Sequence, residues 1–191
     1  MATNRLIQKS KVDVYAGTLF DAANDSGGKE EVVAVRNQFV ELLNIIYGDL
    51  DLSMAISGTM YTPEERYKLV STVLADVATP LREVIAVMSR NGDASLLTRV
   101  YHEYESVIED KLKLCVVDVV TAVPLDDELR ALIKQKAEAD LGMTAVLSES
   151  IDKSILGGII MSVEGMRIDA SVISQLYHAR ETLKQTDGGE I

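Results

Sequence analysis

The hydrophobic period of this chain changes near residue 113, and that change constrains the fold more than any single motif. Before it, apolar residues recur at helical spacing. Val12, Tyr15, Ala16, Leu19 and Ala22/Ala23 make a first stripe, and Val32, Val35, Phe39, Leu42, Leu43 and Ile46 a second. Gly27-Gly28 is expected to end the first helix, with a second over about Lys29 to Tyr47. Short apolar pieces follow over Leu50 to Ile56. Thr62-Pro63-Glu64-Glu65 is a helix start: Thr caps, Pro sits in the first turn, and acids lie at the positive end of the dipole. Thr79-Pro80 opens a fifth helix carrying Leu81, Val84, Ile85 and Met88, and Asn91-Gly92 closes it. A last helix carries Leu96, Leu97, Val100, Tyr104, Val107 and Ile108. Helices with such short connections make a bundle.

After Lys113 the pattern is different. Leu114 to Val123 is continuous and β-branched, which suits a buried strand. Pro124-Leu125-Asp126-Asp127-Glu128 turns into a helix over about Asp126 to Asp140, with Gly142 at its C-terminal end. Thr144 to Ser148 reads as a second strand. Ile159, Met161 and Val163 alternate with Ile160, Ser162 and Glu164 as a half-buried strand. Glu164-Gly165 can turn the chain into Met166 to Ile168. Asp169 and Ser171 are both fitted to cap a final helix. The expected fold class is therefore α+β: a six-helix bundle over residues 1–108, then a small α/β domain over 109–191.

Composition limits function. Lys and Arg total 19 against 30 Asp and Glu, a formal net charge of −11, and acids outnumber bases in both halves. A phosphate backbone selects a basic face, so nucleic acid is a poor partner, and a bare anionic bilayer is disfavoured for the same reason. The lone Cys115, inside the apolar run Leu114 to Val120, excludes an internal disulfide or a cysteine-based zinc site and suits a buried inert thiol. No stretch is long and apolar enough to span a bilayer, and Met1 to Lys11 lacks the apolar core of a secretory signal; the expectation is a cytoplasmic bacterial protein.

Catalytic chemistry is not apparent. His102 and His178 lie on polar helix faces, with no nucleophile and carboxylate at triad spacing. Asp49-Leu50-Asp51 does not continue into a calcium loop, and capping is the simpler reading. Gly157-Gly158 precedes an alternating β run and not a helix with Lys and Ser/Thr, so it is read as a bulge or close backbone approach and not a phosphate loop. No catalytic residue, cofactor site or metal site is expected. Two helices instead carry apolar residues off their main stripe: Val14 and Phe20 beside Gly17, and Ala86 and Val87 on the helix after Pro80. A helix apolar on more than one face is either fully buried or holds a partner. The second case would be a groove between these two helices receiving another helix.

The run Ile151-Asp152-Lys153-Ser154-Ile155-Leu156-Gly157-Gly158-Ile159-Ile160, followed by Ile168-Asp169-Ala170-Ser171-Val172 and Leu176, resembles the delta subunit of bacterial F-type ATP synthases, homologous to the mitochondrial oligomycin-sensitivity-conferring protein. Val119 to Leu125, Tyr15-Ala16 with Leu19-Phe20 and Ala22, and Val87-Met88-Ser89-Arg90-Asn91-Gly92 extend the similarity over nearly the whole chain. Asp93 stands where the family often has Arg, Ala170 where it often has Gly, and Ile173, Ser174 and Gln175 where basic residues are common.

The resemblance implies a non-catalytic stator subunit of the peripheral stalk that resists rotor torque. Such a subunit would lie on the cytoplasmic face of the bacterial cell membrane without inserting, as a monomer in a hetero-oligomeric complex. Its N-terminal domain would bind the catalytic head by taking the N-terminal helix of an alpha subunit between the first and fifth helices, at Val14, Tyr15, Thr18, Leu19, Ile85, Val87 and Met88. Its C-terminal domain would meet the b subunits of the stalk, with Gly157 and Gly158 forming a structural turn. Two alternatives compete with it: a free-standing helical adaptor for an unrelated amphipathic helix, and an enzyme using Asp152, Lys153 and Ser154.

Overall fold

The computed structural model describes residues 2–57, 60–163 and 166–187, with side chains described within 5–182. The chain divides into two compact units, Met1–Leu112 and Lys113–Ile191.

The first unit is helical: α1 (Ala2–Gly48), α2 (Leu50–Ser57), α3 (Pro63–Val73), α4 (Thr79–Asn91) and α5 (Leu97–Leu112), with a 3-10 turn at Ala94–Leu96 before α5. Gly28 leaves helical space (φ 67°, ψ −150°), so α1 is two helical stretches meeting at a kink. The two helices expected on either side of Gly27-Gly28 are thus present, and they meet at a bend with no loop between them. Caps follow the sequence closely. Asp49 Oδ1 accepts from the amides of Asp51 (2.9 Å) and Leu52 (3.1 Å) at the start of α2. Thr62 and Glu65 form a reciprocal capping box on α3. Gly92 ends α4 in the left-handed conformation (φ 74°) that glycine adopts without a Cβ clash.

The stripes converge on one core. Leu19, Val32, Val35, Phe39, Leu81, Ile85, Met88, Val100 and Tyr104 are without solvent contact. The polar groups of Tyr104, Ser89 and Arg36 in this core are paired, as a low-dielectric interior requires. The Tyr104 hydroxyl donates to the Val32 carbonyl (3.0 Å), and Ser89 Oγ donates to the Ile56 carbonyl (2.8 Å). Arg36, buried, donates from Nη2 (2.7 Å) and Nε (3.1 Å) to Glu105 Oε1, with its guanidinium over the Tyr101 ring. Burial accounts for two of the off-stripe residues: Phe20 and Ala86 lie in this core.

The second unit is a four-stranded sheet in the order β2-β1-β3-β4, formed by β1 (Leu114–Thr121), β2 (Thr144–Ile151), β3 (Ile159–Val163) and β4 (Met166–Asp169). β1 pairs with β2 in parallel, from Leu114↔Thr144 to Thr121↔Ile151, while β3 is antiparallel to β1 and β4 to β3. The parallel pair needs a crossover, supplied by α6 (Asp127–Leu141). Asp126 Oδ1 caps α6 by accepting from the Leu129 amide (2.7 Å), and Gly142 ends it at φ 69°. The small core is Cys115, Val117, Val119 and Ala145 on the sheet, covered by Ile133, Ala137 and Leu141 of α6. β1 stops two residues before Val123, where the Thr121 hydroxyl donates to the Val123 carbonyl (2.7 Å). β2 continues to Ile151, beyond the expected Ser148, because its partner β1 stays in register that far. The expected turn at Glu164-Gly165 lies outside the described residues. The last helix, α7 (Val172–Asp187), is capped as its sequence suggests: Asp169 Oδ1 accepts from the amide and hydroxyl of Ser171, and Ser171 Oγ accepts from the Ser174 amide.

Candidate functional site

Tyr15 stands at the junction of α1 with the end of α4. Its hydroxyl donates to Asp93 Oδ2 (2.9 Å) and accepts from Asn91 Nδ2 (3.0 Å). One turn earlier on the same face, Lys11 Nζ reaches both oxygens of Asp93 (2.7 and 2.9 Å). Asp93 is buried, so this clasp is shielded from solvent on the acid's side. The hydrogen bond to Asp93 holds the Lys11 pKa above its ordinary value. Burial, reinforced by Asp93, pushes the Tyr15 phenol up against a smaller opposing effect from Asn91.

Beside the clasp runs a shallow, open apolar groove along the first turns of α1, lined by Leu6, Ile7, Ser10, Lys11, Val14 and Tyr15. Val14 is 64 % exposed, and Leu6 and Ile7 are also exposed. Thr18, exposed, donates its hydroxyl to the Val14 carbonyl (2.7 Å), one turn back on the helix. Large apolar side chains left in water at i and i+7 on one helix make a surface suited to another helix.

The seven residues expected at a head contact divide in two. Val14, Tyr15 and Thr18 lie on or next to the groove, and Val87 is half-buried on α4 and does not line it. Leu19, Ile85 and Met88 are sealed in the core. In the free chain these three have no solvent-facing surface. Sequence reasoning missed Leu6, Ile7, Ser10, Lys11 and Asp93. The first four precede the stripe that was taken to begin at Val12, yet the Ile7-to-Val14 spacing of two turns carries the signal.

In the second unit, Gly158 has φ +79°, and a Cβ there would lie 2.3 Å from the Ala170 carbonyl oxygen and 3.0 Å from Ser171 Cα. Gly157 accepts from the Val172 amide through its carbonyl (2.9 Å). The pair therefore lets the start of β3 lie against the β4–α7 connection, and neither glycine opens a helix as a phosphate loop would. The Ser154 amide donates to Asp152 Oδ1 (2.8 Å), which caps a 3-10 turn, and the Asp152 pKa is lowered by the bonds with Ser154. That geometry gives Asp152, Lys153 and Ser154 a turn-forming role. His102 approaches Glu105 (3.5 Å), and His178 is exposed. Among the described residues no group of three or more His, Cys, Asp or Glu could hold a metal.

A family model described as ATP synthase delta (OSCP) subunit matches residues 12–183. The ATP synthase subunit delta of Azorhizobium caulinodans is 27 % identical over 173 residues, covering 90 % of this chain and 91 % of the relative. That of Anaeromyxobacter dehalogenans is 30 % identical over 175 residues, covering 90 % and 95 %. Among solved structures, a chain of the Toxoplasma gondii mitochondrial ATP synthase hexamer matches with a TM-score of 0.50 at 16 % identity, covering 90 % of this chain and 96 % of that one, a likeness of fold.

Proposed function

The chain belongs to the ATP synthase delta (OSCP) subunit family, and from that premise we propose a division of labour between its two units. As a family member it is a stator subunit of F-type ATP synthase, peripheral to the membrane and not catalytic. Among the described residues no helix is long and apolar enough to cross a membrane.

In the proposed arrangement, residues 1–108 grip the catalytic head by receiving the N-terminal helix of an alpha subunit, and residues 109–191 grip the b subunits. The protein serves as a monomer within the complex on the cytoplasmic face of the cell membrane. The observation that carries the first half is the groove on α1: exposed Leu6, Ile7 and Val14 in a row, beside a polar clasp that fixes α1 against the end of α4. Such a groove suits the apolar face of a short amphipathic helix, and the link must be tight because it bears torque. A nanomolar contact corresponds to about −12 kcal/mol, with a few apolar anchors dominating.

The test is calorimetry of the full chain against a peptide of the alpha N-terminus. Val14→Asp and Val87→Asp should each weaken binding by about 2 kcal/mol or more, because the peptide would desolvate an unpaired carboxylate. Both side chains retain exposure, so melting should be nearly unchanged. Affinity unaltered by Val14→Asp would remove the groove from the account, and affinity unaltered by Val87→Asp would exclude that residue as an anchor.

A further inference from the structure

Among the described residues that line the α1 groove, Lys11 alone is charged. Ile7, Lys11 and Val14 follow at i, i+4 and i+7 on one helix face, so a helix laid over Ile7 and Val14 also passes over Lys11. An ammonium covered in that way loses water, and an unpaired one would oppose the contact. Lys11 is not unpaired. Its side chain is 44 % exposed, and Nζ donates to both oxygens of Asp93, whose side chain is only 11 % exposed. Asp93 is itself held: the Tyr15 hydroxyl donates to Oδ2, and the Asp93 amide donates to the Met88 carbonyl (2.8 Å) at the end of α4. The acid is thus buried while the cation faces the groove. Two of the three Lys11 donors are spent, and the pair carries no net charge. Asp93 stands where the family often has Arg. An arginine there would set two cations side by side, so the neutral edge belongs to this chain.

We propose that Asp93 is a positioning residue that sets the charge specificity of this groove: by neutralising Lys11 it selects an alpha N-terminal helix with an uncharged residue opposite Lys11. The proposal rests on the head contact proposed above and names which helices that contact accepts. A neutral residue with a hydroxyl or carbonyl oxygen can take the third Lys11 proton. A base at the same place meets the ammonium directly. An acid there has to share one ammonium with Asp93, which leaves a net negative charge where water is being displaced. Asp93 therefore acts as much by rejecting charged helices as by favouring neutral ones.

The experiment uses the full chain and, as probe, the N-terminal peptide of the alpha subunit encoded with the same synthase. Glutamate is placed at each peptide position in turn, and calorimetry reads each Kd. The unsubstituted peptide should bind Asp93→Asn about tenfold more weakly than wild type, since the covered ammonium has lost its acid. Asparagine keeps the side chain's size and an oxygen for Tyr15. At one peptide position glutamate should weaken binding to wild type a few-fold and tighten binding to Asp93→Asn. The double variant Lys11→Met/Asp93→Asn removes both charges and should recover most of the loss without any gain from glutamate. Lys11→Met alone leaves the acid without its cation and should shift the preference at that position to lysine. This mirror result stands independently if Asp93→Asn melts early. Wild-type affinity of Asp93→Asn for the unsubstituted peptide overturns the proposal while leaving the groove in place. Equal weakening of every peptide, with the double variant weakest, makes the clasp a brace of the fold and also overturns it. A wild-type chain that does not bind the peptide, or binds it regardless of Val14→Asp, removes the groove reading and this proposal with it.

Discussion

α4 buries six of its thirteen residues, whereas α6, two residues longer, buries none. The contrast extends to the units that hold them. In the first, α4 packs against α1 and α3, so its stripe and even off-stripe Ala86 are buried. In the second, one helix lies on one face of a four-stranded sheet, and Leu129, Leu132, Met166 and Ile168 remain in water. A layer architecture is stable when each apolar face meets another, and α4 meets that condition where α6 does not. The lesson is that apolar surplus has two meanings within one chain. Around Phe20 and Ala86 it is core, and around Val14, Met166 and Ile168 it is exposed surface.

The largest expected effect falls in the first unit. Tyr104→Ala removes the largest fully buried side chain among the described residues, together with its hydroxyl bond to the Val32 carbonyl. It should cost about 4 kcal/mol, read by denaturant unfolding with amide exchange to assign the loss. Exchange in β1 to β4 should be unaffected, and a comparable loss there would break the independence of the two units.

Gly158→Ala should come next, at about 2–3 kcal/mol, since it adds both a strained φ and a contact too close to the Ala170 carbonyl. Exchange should accelerate in β3, β4 and α7 only. Binding of the alpha peptide should persist, and ATP binding that vanished with this change would contradict the backbone role of the glycine pair.

The smallest effects are those of pH. Lys11 has a raised pKa, so its clasp contributes fully below the ordinary lysine value of 10.5 and is lost as pH rises through the raised one. Lys11→Met should remove an alkaline decline in the melting of the first unit. Asp169 has a lowered pKa, chiefly through its bonds to Ser171, so its contribution is present above the ordinary value of 3.8 and is lost as pH falls through the depressed one. Asp169→Asn should flatten the acid decline of the second unit. The same acid-side sign holds for Glu65 of the first unit, through its capping box, so Glu65→Gln is the matching comparison.

Much of this was legible before any coordinates, wherever the deciding physics was local. The period change near residue 113, the capping box at Thr62, the cap at Asp126 and the left-handed glycines at 92 and 142 each depend on a few neighbouring residues. Gly158 was legible as a close approach, although the group it approaches, Ala170, could not be read from spacing. What failed was tertiary. Helical periodicity places Leu19, Ile85 and Met88 on the faces that α1 and α4 turn to each other, but it does not say whether those faces close or leave a groove. The Asp93 clasp joins residues about eighty positions apart, which no local pattern encodes. The break at Gly27-Gly28 was legible as local physics, and only its tightness was not: Gly28 alone leaves helical φ and ψ.

The central claim is that this chain holds catalysis and rotation together while performing neither. It is tested most directly by deleting the protein and measuring ATP-driven proton pumping and ATPase activity in the same membrane vesicles. The account predicts that pumping disappears while ATPase activity persists, partly in the soluble fraction, and that adding the purified chain to stripped vesicles with soluble head restores pumping. Pumping that survives the deletion, or a detached head whose ATPase activity returns only with this chain, would contradict it.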